Sequence, residues 1–105
     1  MEIRMSQLKN LAKKLLSFAI FFQWAFYKKV SYEIKSFQFY YLENFNVALE
    51  LLRKAETLTE EGDKYRAVTY NNFACIFRRT KKLRSALNYL EKALEIEYNY
   101  LHYSD

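Results

Sequence analysis

Two stretches of this chain repeat each other 38 residues apart. FNVALELLRKAE, residues 45–56, aligns with LRSALNYLEKAL, residues 83–94. Phe45 pairs with Leu83, Ala48 with Ala86, Leu49 with Leu87, Leu52 with Leu90, Lys54 with Lys92 and Ala55 with Ala93. A fixed period of this length marks an array, in which each unit is a small supersecondary element that buries its apolar face only by stacking on a neighbour.

The second copy lies in an uninterrupted stretch from Ala67 to Asn99, 33 residues without Gly or Pro. It reads as two helices joined by the basic turn Thr80-Lys81-Lys82. In the first helix Tyr70, Phe73, Ala74 and Phe77 form one apolar stripe at helical period. In the second, Leu83, Ala86, Leu87, Leu90, Ala93, Leu94 and Ile96 form another. Ala74 and Ala86 fall where two antiparallel helices approach closely, and packed interiors tolerate little added volume there. With no Pro and a single Gly, Gly62, the whole chain lacks the punctuation of sheets and long loops. The expected class is all-α.

Tyr70, Phe73-Ala74, Phe77, Ala86, Leu90 and Tyr98 stand at the spacing of the tetratricopeptide signature, with Ala93 in a second small slot and Asn72 beside the aromatic. The stretch resembles one complete tetratricopeptide repeat, departing from the pattern where Ala74 replaces Gly and Tyr98 replaces Pro. The resemblance implies a right-handed α-solenoid whose first helices line a concave groove for an extended peptide or a partner helix. Asn72 would then point into the groove, with Val68, Asn71 and Cys75 as neighbours. A consensus residue that satisfies only local backbone is the other reading of Asn72.

The earlier copy belongs to a repeat with a degenerate first helix, in which Tyr32, Ser36 and Phe39 occupy the expected slots and Lys35 stands where an apolar residue belongs. Ala48, Leu52 and Ala55 are its core. The period of 38 exceeds the family's usual length of about 34 by roughly one helical turn. That extra turn is expected in Thr57–Asp63, as a helix prolonged to about Glu61, stopped by a left-handed Gly62 and followed by Asp63 capping the next helix. The predicted layout is about five antiparallel helices: an N-terminal amphipathic, apolar helix over 1–28, repeats over 29–62 and 67–100, and a tail over 101–105.

The N-terminal segment begins basic and amphipathic and continues into an apolar run from Leu15 to Tyr27, interrupted by Ser17 and Gln23. A membrane-spanning helix needs roughly 20 apolar residues, and Gln23-Trp24-Ala25-Phe26 offers a poor cleavage site. A true signal or anchor sequence is therefore the least favoured of three readings. In the other two, either the segment packs in the solenoid, or residues 8–29 lie at a membrane surface with Lys13 and Lys14 among head groups and Trp24 at the boundary. Ala12, Leu16 and Ala19 echo the spacing of Ala86, Leu90 and Ala93, as the second helix of an incomplete leading repeat would.

Charge alternates along the chain. Residues 1–35 carry +5, residues 36–63 carry −4, residues 64–84 carry +7 and residues 85–105 carry −3. Such blocks suit a stack of partly complementary neighbours. The basic cluster Arg78, Arg79, Lys81, Lys82 and Arg84 reads first as a solvated turn, then as a contact for an acidic partner surface. The alanine pattern and Tyr70 favour a protein-binding array over an RNA-reading one. Glu33 stands where relatives that bind acidic chaperone tails would carry Lys, so that partner class is not expected.

Catalytic chemistry is scarce. His102 and Cys75 are single and far apart in the helical layout, which gives neither a metal cluster nor a thiol with its base. No Gly-rich phosphate loop exists. Glu60, Glu61 and Asp63 cluster where solvated charge is ordinary. A lone cysteine does not argue for secretion. The expectation is a non-catalytic, cofactor-free and metal-free cytoplasmic adaptor or scaffold, or else a membrane-associated one, with open solenoid ends that could self-associate.

Overall fold

The computed structural model describes residues 4–103. Four helices follow one another: α1 (Met5–Tyr41), α2 (Phe45–Glu56), α3 (Lys64–Arg79) and α4 (Leu83–Tyr103), with no strand among the described residues. The all-α, tetratricopeptide-like class expected from the sequence is what is found, with four helices in place of about five. The fifth is lost because the N-terminal segment and the first helix of the degenerate repeat are one element. No Gly, Pro, Asn or Asp occurs between Asn10 and Asn44, so nothing breaks a helix there. The echo at Ala12, Leu16 and Ala19 therefore marks no helix of its own. Residues 101–103, read as tail, continue α4; residues 1–3 and 104–105 lie outside the described ones.

At 37 residues, α1 is about 55 Å long. Its first buried residue is Ala25, followed by Lys29 and Ser36. The turns before these form an arm beyond the rest, and the molecule measures 62 × 33 × 15 Å. No helix among the described residues is long and apolar enough to cross a membrane.

Each repeat is a helix pair closed by the same turn. Glu43 and Lys81 adopt left-handed backbone, with φ of 60° and 64°. Asn44 N–H donates to Phe39 C=O at 2.9 Å and Glu43 N–H to Tyr40 C=O at 3.1 Å. Lys82 N–H donates to Phe77 C=O at 2.8 Å and Lys81 N–H to Arg78 C=O at 3.1 Å. These are paired Schellman closures, and they recur at the 38-residue period of the sequence. The left-handed residues that end helices are thus Glu43 and Lys81. Gly62 has no positive φ, contrary to its expected role.

The extra turn does not prolong α2, which ends at Glu56. Residues 57–63 fold instead into tight turns held by Arg66. Its guanidinium donates to Glu56 C=O at 2.6 Å, Thr59 C=O at 2.7 Å and Thr59 Oγ1 at 3.2 Å. Glu56 C=O also accepts from Thr59 N–H at 3.2 Å, so the chain leaves α2 through a tighter turn that Arg66 fastens to the start of α3. Asp63 caps α3 as expected, its Oδ1 accepting from Tyr65 N–H at 2.9 Å.

The core gathers Ala48 and Leu52 from α2, Ala67, Tyr70, Phe73 and Ile76 from α3, and Ala93 and Ile96 from α4. Ala55, Ala74 and Ala86 are also buried. Phe77 is half-buried and packs against this cluster. Tyr89 reaches from α4 into it, with its ring 4.8 Å from Phe73, 5.6 Å from Phe77 and 5.7 Å from Tyr70. The α4 stripe therefore divides. Ala86, Tyr89, Ala93 and Ile96 face α3, while Leu83, Leu87, Leu90 and Leu94 do not. Leu90, expected in the core, is 40% exposed, although its counterpart Leu52 is fully buried. The difference is a neighbour: α3 follows and covers α2, and nothing among the described residues covers α4.

Candidate binding groove

The C-terminal half of α1 and the inner face of α3 enclose a cavity of about 110 Å³. From α1 it is lined by Glu33, Ser36, Phe37 and Tyr40, and from α3 by Asn72, Cys75 and Ile76. A pocket of this size takes about one side chain, judged against the ~150 Å³ cavities that admit benzene.

Polar contacts buried beside it hold the two walls. Lys29, 3% exposed, donates its ammonium to the Glu33 carboxylate one turn on. Thr69 of α3, fully buried, donates its hydroxyl to the same Glu33 oxygen at 3.0 Å. Glu33 is thus the joint between α1 and α3, with its charge matched by a buried partner. Ser36 donates to Ala48 C=O at 2.9 Å and fixes α1 against α2. No buried side-chain nitrogen or oxygen among the described residues lacks a partner.

Of the four groove residues expected from the sequence, Asn72 and Cys75 line this cavity together. Val68, 48% exposed, and the half-buried Asn71 lie on α3 outside its lining. The α1 wall was not anticipated. Phe37 and Tyr40 sit in the degenerate helix, where Lys35 obscured the register; their places four residues after Glu33 and Ser36 were the available signal.

The basic residues at the α3–α4 turn are exposed. Arg79 pairs with Glu43 at 3.3 Å and lies over the Tyr40 ring at 5.7 Å, linking the two repeat turns. Burial pushes the Tyr89 phenol above its ordinary value, aided by the Glu56 carboxylate and opposed by Arg53. Cys75 is free and exposed, and no group of three His, Cys, Asp or Glu among the described residues could hold a metal ion.

A profile of the tetratricopeptide repeat matches residues 35–97, which takes in the last two turns of α1, all of α2 and α3, and α4 as far as residue 97. The chain belongs to the tetratricopeptide repeat family. Its repeats generally mediate binding to other proteins and are generally non-catalytic, so a protein-binding scaffold is the role the family match supports. Neither the curated proteins nor the solved structures compared with it gave a match.

Proposed function

We propose that this protein is a non-catalytic cytoplasmic adaptor whose groove between α1 and α3 holds a segment of another protein. The observation that carries the reading is the cavity between these two helices, walled by Phe37 and Tyr40 and edged by the Asn72 amide. Aromatic walls favour an apolar side chain from the ligand. An asparagine amide both donates and accepts, which is what a passing peptide backbone needs. Glu33 already answers Lys29 and Thr69, so a basic ligand gains little from it. The expected ligand is an extended or helical peptide with one buried apolar anchor.

Peptides selected by phage display against the full chain supply a ligand for the test. Titration followed by NMR should then shift the Asn72 side-chain amide and the Cys75 backbone. Shifts confined to residues away from Phe37, Asn72 and Cys75 would overturn the groove reading.

A further inference from the structure

Two unpartnered apolar faces lie at opposite ends of the helix stack. On α4, Leu83, Leu87, Leu90, Leu94 and Leu101 are 40–71% exposed. Their first-repeat counterparts Phe45, Leu49 and Leu52 belong to or pack on the core that α3 closes. The α4 face instead opens on a hollow of about 390 Å³, with buried Ala74 and Ala86 at its base and Leu83, Leu87 and Leu90 around it. It is a helix-binding surface of the kind that α2 presents to α3.

At the other end, Leu8, Leu11, Leu15, Phe18 and Phe22 run along the α1 arm at alternating spacings of three and four, 44–63% exposed. The same alternation continues through Ala25, Lys29 and Ser36, which are buried within this fold. A 3.5-residue seam is the period of helix packing on helix. Half of this seam is already used in that way, and the arm is its continuation.

We propose that the α1 arm of one copy of this chain lies on the α4 face of a second copy. Charge sets the direction. Residues 4–32 hold no acid, and Lys9, Lys13 and Lys14 cluster near the start of the arm. On α4 the acids Glu91 and Glu97 lie one turn either side of Leu94, with Glu95 beside it. An arm antiparallel to α4 brings Phe22 to the level of Leu87, Leu8 to that of Leu101, and Lys13 and Lys14 to that of Glu95. The uncharged stretch from Leu15 to Tyr27 then meets the hollow beside Arg78. Reciprocal exchange of arms covers both faces and closes a two-fold dimer. This contact is separate from the groove of the proposed function.

Light scattering on the full chain across a concentration series tests this, with circular dichroism melts confirming that each variant folds. The parent should give the dimer mass. Phe18→Glu/Phe22→Glu and Leu87→Glu/Leu94→Glu should each weaken association by about tenfold or more. An equimolar mixture of the two should recover a dimer, because one sound arm still meets one sound α4. Lys13→Glu/Lys14→Glu should weaken the dimer, and adding Glu91→Lys/Glu95→Lys should restore it. A monomeric parent overturns the proposal, and flotation of that monomer with phosphatidylserine vesicles would assign the arm to lipid instead. An α4 variant that dimerises like the parent also overturns it, since arms would then pair with arms.

Discussion

Ala86 is 5% exposed between α3 and α4, in contact with the base of the α4 hollow. Replacing it with Leu should destabilise the protein by about 1–3 kcal/mol through overpacking, read as a lower midpoint in a denaturant titration with an unchanged slope. A parent-like midpoint would mean that the α3–α4 pairing is wrong. Asp63→Ala removes the cap at Tyr65 N–H and should cost about 0.5–2 kcal/mol in the same assay. Tyr89 supplies a pH test. Its phenol titrates above 10.0 in the fold because burial penalises the phenolate. The unfolded chain therefore ionises first as pH rises, so stability is full below the ordinary tyrosine value and falls above it. Thermal melts of Tyr89→Phe should lose that part of the alkaline decline; identical alkaline profiles would contradict it. Tyr89 also shows where reading the sequence went astray. Leucines seven residues apart drew the α4 stripe toward themselves, while Ala86, Tyr89, Ala93 and Ile96 at steps of three, four and three were the face that packs.

Among the elements, α1 carries the most. Its C-terminal half lines one side of the cavity, and Glu33 ties it to α3 through Thr69. Glu33→Ala would strand the 3%-exposed Lys29 ammonium, and losing one partner of a buried pair costs about 3–5 kcal/mol. Lys29→Met/Glu33→Leu, which removes both charges, should melt close to the parent. A Glu33→Ala protein as stable as the parent would mean that the pair is hydrated and does not join the helices. The repeats themselves were legible because their alanines and turns recur with the same spacing. The fusion of the N-terminal segment with the degenerate helix was not, since two adjoining helices and one long helix have the same local composition and differ only by a missing breaker. The loop at residues 57–63 was misread as helix for another reason. Its turns are held by Arg66, ten positions beyond the end of α2, through bonds to the Glu56 and Thr59 carbonyls that local composition does not reveal.

In the whole molecule, position in the stack overrides local sequence. Leu52 and Leu90 fill the same slot, yet one is fully buried and the other is 40% exposed, because among the described residues only the first has a following helix over it. Burial in a repeat array is a property of the pair, which is why a single repeat resembles its family so closely without revealing which faces are open. The cavity lining was half legible on the same grounds: Asn72 and Cys75 lie in the well-formed repeat, and Phe37 and Tyr40 in the degenerate one. The most direct test compares proximity labelling by the parent, a Phe37→Ala/Asn72→Ala groove variant and a Leu87→Glu/Leu94→Glu end-face variant. The account predicts that protein partners are lost from the groove variant and kept by the end-face variant. Partners that survive the groove substitutions and vanish with the end-face ones would contradict it.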